Sequence, residues 1–223
     1  HPGDFLWQPN LRVSDIVKNI KHLKSNVDLN FALIRREMPP VGRIEPIFVD
    51  LRSAIADKGS ESDRVFFPRD RLTIFAAEEG REALVAGLVG TLKAQSHSGE
   101  KAQIAVINGT VKSPGEYPLT KDMTLTQLIA AAGGLKEEAY TQHVELSRYD
   151  FSDIERATSD HFTLNLATAY ANADSDPVLE PYDVVSIRSI PEFRESLTIV
   201  LEGEVRFPGV YAFKRGELLS DVL

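Results

Sequence analysis

The sequence predicts an α+β protein built from tandem copies of one small module, and three observations predict it. Every Pro-Gly pair stands in the same context: Pro2-Gly3, Pro114-Gly115 and Pro208-Gly209 are each followed, one residue on, by an aromatic, Phe5, Tyr117 and Tyr211. Eight residues after each aromatic comes the same short pattern: Val13-Ser14-Asp15-Ile16-Val17, Leu125-Thr126-Gln127-Leu128-Ile129 and Leu219-Ser220-Asp221-Val222-Leu223. A second element, V-x-x-P-x-D-x-[LV]-[ST]-I, runs from Val65 through Pro68 and Asp70 to Ile74, and again from Val178 through Pro181 and Asp183 to Ile187. With 12 Pro and 14 Gly in 223 residues, roughly one Pro-Gly pair would arise by chance, so three in one context mark a repeat. Val65 and Val178 lie 113 positions apart and Pro2 and Pro114 lie 112 apart, whereas Pro114 and Pro208 lie 94 apart. The difference of 18 is an extra segment near 78–96.

Each element of the second module can be justified in order. Residues 103–111 alternate as a strand, with Gly109 where the backbone bends or is closely approached. Ser113-Pro114-Gly115-Glu116 reads as a tight turn, and a second strand follows through Tyr117 and Leu119. Thr124 is a fitting N-cap for a helix whose Leu125, Leu128, Ile129 and Ala132 share one face. Gly133-Gly134 would end it in the left-handed conformation. Strands follow at 144–148 and 161–166, then the turn at Pro181-Tyr182-Asp183 and a closing strand at 184–188. A hairpin, one helix and further strands is the order of a β-grasp, in which a mixed sheet holds a single helix across one face.

The first module repeats the pattern with a helix at 13–20 and strands at 32–36, 47–51 and 72–75. Lys21 and His22 stand where the second has Gly133-Gly134, so no left-handed cap is expected there. Between the modules, Leu84, Val85, Leu88, Val89 and Leu92 make the apolar stripe of a linker helix, with Glu78, Glu79 and Glu82 at its N-terminus. That stripe reads as intramolecular core. The expected organisation is a first module at 1–77, linker helix and connector at 78–100, a second module at 101–190 and the start of a third at 197–223.

Composition excludes several functions. The net charge is −8 with no polybasic run, which argues against nucleic acid as a partner. The absence of cysteine removes disulfides, thiol catalysis and zinc-thiolate sites. No apolar run approaches the roughly 18 residues of a membrane span. The chain starts at His1 and opens and closes inside repeats, so it reads as a fragment of a longer protein.

The stretches 109–119 and 130–135, with 203–211 echoing the first, resemble the polysaccharide export family of bacterial outer-membrane and periplasmic proteins (Wza-type). More narrowly, they resemble its SLBB domains, the soluble-ligand-binding β-grasp modules. The resemblance implies a lipoprotein or secreted parent forming a ring-shaped oligomer through which capsular or exopolysaccharide leaves the cell. It implies as partners the polysaccharide in transit and an inner-membrane polysaccharide co-polymerase. The family's export-signature domain and membrane-spanning part are not in these residues. A soluble carbohydrate- or small-ligand-binding periplasmic protein is the rival reading.

The motif residues, Pro2, Gly3, Phe5, Pro68, Asp70, Gly109, Pro114, Gly115, Tyr117, Gly133, Gly134, Pro181, Asp183, Gly203, Pro208, Gly209 and Tyr211, read as turn and core positions. Arg35, Arg36 and Arg43, whose forks suit acidic sugar carboxylates, and Tyr149, a ring on which sugar could stack, are the ligand candidates. His143 with Glu145 is one ligand short of a metal site. Asp174-Ser175-Asp176 resembles a calcium loop without its glycine and glutamate. No nucleophile or phosphate-binding motif occurs, so neither catalysis nor a cofactor is expected. Sheet edges left open at the two ends of the chain lead us to expect self-association by strand exchange.

Overall fold

Two strands of 12 residues, β1 (Val27–Met38) and β6 (Ala139–Asp150), each organise one sheet. The computed structural model describes residues 3–77, 80–97, 100–150, 158–191, 197–213 and 218. Pro2, Glu78, Glu79 and the helix expected at 219–223 lie outside the described residues.

The first sheet is β2 (Arg43–Val49), β1 and β3 (Arg71–Ala76), in that order and all antiparallel. The second is mixed: β5 (Gly115–Pro118), β4 (Ile104–Gly109), β8 (Val184–Ser189), β6 and β7 (Thr158–Leu164). β4 runs parallel to β8, and the other neighbours are antiparallel. β7-β6-β8 therefore repeats β2-β1-β3. The copies agree even in their irregularity, since the register breaks between Val27 and Ala32 in one and between Ala139 and Val144 in the other, 112 positions on.

The helices repeat too. α1 (Val13–Ile16) corresponds to α4 (Leu125–Ala131), and α2 (Leu51–Ala56) to α5 (Leu166–Ala171). α1 stops well short of 20, and a 3-10 turn at Ile20–His22 takes up the rest. Its C-cap, Val17, has φ −98°. Gly133 and Gly134, at φ 86° and 92°, give α4 the left-handed end that α1 lacks. α2 and α5 escape the sequence reading because one or two turns carry too little periodicity. Their caps are nonetheless local: the Asp50 side chain accepts from Ser53 N–H, and the Asn165 side chain from Ala167 N–H.

The two sheets are buried differently. β6 alternates, with Val144 and Leu146 buried beside Val185 and Ile187 under α4. In β1, by contrast, Phe31, Ala32, Leu33 and Ile34 are all buried. Ala32 and Ile34 meet α1 and α2, while Phe31 and Leu33 join α3 (Arg81–Gln95) and the second sheet in one core. A strand buried on both faces reads as a continuous apolar run. Of the α3 stripe, Val85, Val89 and Leu92 are buried, but Leu84 is 65% exposed, so the expected core position is corrected to a surface one.

Residues 1–189 form one compact unit and 190–223 a second. Within the second, β9 (Leu197–Leu201) and β10 (Gly209–Phe213) pair as an antiparallel hairpin.

Candidate functional site

The V-x-x-P-x-D element folds the same way twice. Asp70 N–H donates to the Phe67 carbonyl and Asp183 N–H to the Glu180 carbonyl, both at 3.1 Å. Pro68 and Pro181 take the second turn position, and the third, Arg69 and Tyr182, has φ of 70° and 71°. That is the left-handed value a type II turn requires. The Asp carboxylates, with 0% side-chain exposure, accept from Phe67 N–H and Glu180 N–H at 2.8 Å.

An arginine from the long strand closes each turn. Arg36 Nη2 lies 2.7 Å from Asp70 Oδ2, and Arg148 Nη2 lies 2.7 Å from Asp183 Oδ2. Their Nε atoms donate to Oδ1 at 3.1 and 3.0 Å. The same guanidinia donate to the carbonyls of Val65 and Val178 at 2.7 and 3.1 Å. These are two-point forks, the strong form of the pair. Arg36, a ligand candidate by sequence, is thus held by the scaffold, with its guanidinium 3.9 Å from the centre of the Phe67 ring.

A second clamp fixes each first helix. Ser14 donates through N–H and Oγ to Asp63 at 2.9 and 2.8 Å. Thr126 does the same to Asp176 at 3.1 and 2.6 Å. Asp176, which suggested a calcium loop, is a helix anchor.

The β4–β5 hairpin carries the glycine and aromatic positions. Gly109 has φ 88°, and a Cβ there would lie 1.9 Å from the Ile187 carbonyl oxygen, so β4 and β8 meet without room for a side chain. Tyr117 is buried and its hydroxyl donates to the Ser113 carbonyl at 2.7 Å. Burial, reinforced by the Glu82 carboxylate, pushes its phenol well above the ordinary tyrosine range. The β9–β10 hairpin copies this, Tyr211 donating to the Phe207 carbonyl at 2.8 Å.

Residues 104–150 are an SLBB domain. The SLBB domain is typical of polysaccharide export proteins. The matched stretch runs from β4 to the end of β6, and β7 and β8 complete its sheet. The mixed α+β architecture around it is β-grasp-like. Among curated proteins, none matches the chain.

Arg81, which the sequence reading passed over, ties this SLBB domain to the first sheet. It opens α3 and is 2% exposed. Nη2 donates to Asp28 Oδ2 at 2.7 Å and to the Ala76 carbonyl at 2.6 Å, while Nη1 donates to the Ala130 carbonyl at 2.9 Å. Ala130 lies in the last turn of α4, where exposed carbonyls favour a cation. A signal for it did exist: a basic residue directly after the Gly80 N-cap opposes its own helix dipole, so its reason had to lie elsewhere.

The remaining candidates are dispersed. Arg43 pairs with Glu100, and this hydrogen bond holds the Glu100 carboxyl below its usual range. Tyr149 is exposed on β6 opposite Ser159. The Glu145 carboxylate accepts from Arg188 Nη2 at 2.6 Å, and His143 stacks on Tyr140 with ring centres 6.1 Å apart. Phe5 is exposed. Among the described residues, no three His, Asp or Glu side chains converge as metal ligands, and no helix is long and apolar enough to cross a membrane. Arg35 lines a depression between β1, β3 and α3.

Proposed function

We propose that this chain is a wall element of a capsular or exopolysaccharide export conduit, acting by ring assembly in the periplasm at the outer membrane and catalysing no reaction. The observation that carries this reading is the SLBB domain at residues 104–150. An SLBB domain is consistent with polysaccharide export or ligand binding. The scaffold around it supports the first: the repeated arginines and aspartates, Arg36 with Asp70 and Arg148 with Asp183, are spent on holding turns. The polymer in transit and an inner-membrane polysaccharide co-polymerase are the proposed partners. Deleting the parent gene should remove polysaccharide from the cell surface while it accumulates in the envelope. Unchanged surface polysaccharide would move a soluble ligand-binding role to the front.

For the assembly itself we propose strand exchange between copies. Among the described residues, no strand pairs with the outer edge of β3. The equivalent edge of β8 receives β4. The β9–β10 hairpin repeats β4–β5, and Gly203 holds φ 92°, as Gly109 holds 88°, yet among the described residues nothing lies within 4 Å of where its Cβ would be. β9 of one copy can thus take, on β3 of a second copy, the place that β4 takes on β8. Light scattering should show concentration-dependent association that Gly203→Ala abolishes. Monomers at high concentration, or association indifferent to that substitution, would count against it.

A further inference from the structure

Arg35 on β1 and Arg71 on β3 are direct cross-strand partners, and the neighbour of Arg35 on its other side is Pro46 of β2. Like charges placed directly opposite destabilise a sheet. Four other arginines on or beside this sheet are matched: Arg36 with Asp70, Arg43 with Glu100, Arg69 with Glu37, and Arg81 with Asp28. Among the described residues, the side chains of Arg35 and Arg71 have neither a hydrogen-bonding nor an ion-pair partner. In a chain with 33 carboxylates and a net charge of −8, two adjacent arginines without one stand out. Nor does the repeat require them. Their counterparts in the second sheet, 112 and 113 positions on, are Ser147 and Val184.

The pair lines a depression of about 260 Å³ between β1, β3 and α3. Leu84 and Leu88 of α3 supply an apolar wall, and Thr73 of β3 lines the depression as well. We propose that this depression binds an acidic sugar. The two guanidinia would grip one carboxylate through paired N–H donors. The C–H face of the ring would lie on Leu84, and the Thr73 hydroxyl would meet a ring hydroxyl. The volume falls below the roughly 300–1,000 Å³ of sites that enclose whole drug-sized ligands, so it takes one sugar unit of a longer chain. That a sugar carries the anion rests on the export reading; the oxyanion site itself does not, since free phosphate presents the same chemistry.

The test is calorimetric titration of the whole chain with a galacturonic acid trimer, a galactose trimer and inorganic phosphate. The acidic trimer should bind saturably at low salt, and Arg35→Gln and Arg71→Gln should each weaken it at least tenfold. The galactose trimer should not bind. Because Arg71→Gln also relieves like-charge repulsion, its urea midpoint should equal or exceed that of the unmodified protein, which separates lost binding from lost folding. No saturation, or binding unchanged by both substitutions, would overturn the site. Phosphate binding that depends on both arginines, without binding of the trimer, would overturn the sugar as its ligand. Either result is independent of gene deletion: a chain that binds the trimer but is dispensable for surface polysaccharide refutes export and keeps the site.

Discussion

Arg81→Met should destabilise the 1–189 unit by about 3–5 kcal/mol, the cost of breaking a buried charge pair by removing one partner. The side chain volume is nearly kept, so the loss is electrostatic. Asp28 would retain the Asn30 N–H at 2.8 Å but no cation, and the carbonyls of Ala76 and Ala130 would lose their side-chain donor. Arg81→Lys should recover only part of this, because one ammonium cannot reach Asp28, Ala76 and Ala130 together. Adding Asp28→Asn to Arg81→Met should cost less than the sum of the single changes, since the uncompensated carboxylate is then gone. Urea unfolding at neutral pH of the unsubstituted chain, Arg81→Met, Arg81→Lys, Asp28→Asn and the double variant measures these costs. A cost for Arg81→Met below about 1 kcal/mol, the range of an exposed pair, would show that the first sheet and the SLBB domain do not depend on this residue.

Gly109→Ala should be comparably severe for a different reason. The new methyl would need a left-handed backbone, at about 1–2 kcal/mol, and would meet the Ile187 carbonyl carbon at 2.9 Å and its oxygen at 1.9 Å. Backbone cannot swing aside as a side chain can. β4 would therefore have to leave β8 along the register from Val106↔Val184 to Gly109↔Ile187. The expected loss is about 4 kcal/mol or more, in the exceptional class of single substitutions, with amide exchange in β4 accelerating before that in β6. Gly134→Ala is the control. It shares a positive φ, 92°, but among the described residues a Cβ there would meet nothing within 4 Å, so it should cost only the conformational part. Equal losses at 109 and 134 would mean that close approach to β8 is not what the glycine serves.

What could be read in the sequence shares a property: it is local or repeated. The Pro68 and Pro181 turns, the Gly133-Gly134 helix end and the hairpin around Pro114-Gly115 are each fixed by a few adjacent residues. Asp70 and Asp183 could be placed in turns for the same reason. Their arginine partners were within reach as well, because Arg36 and Arg148 are 112 apart, the spacing of the repeat itself. β1 announced its double burial in the unbroken run Phe31-Ala32-Leu33-Ile34, where β6 alternates. Leu84 misled, because helical spacing places a residue on a stripe without saying how far the neighbouring sheet extends.

The sequence by itself determined the module, its turns and the succession of its strands along the chain, since local φ preferences and a period repeated over 112 residues need no distant partner. The tertiary structure alone decided which faces meet. Arg81 has meaning only when Asp28, Ala76 and the end of α4 arrive at one point from three parts of the chain. Arg35 and Arg71, 36 residues apart in sequence, become a charged pair only through the register of β1 on β3. Register is set by the packing of whole sheets, in which a shift of one residue would turn every side chain to the opposite face.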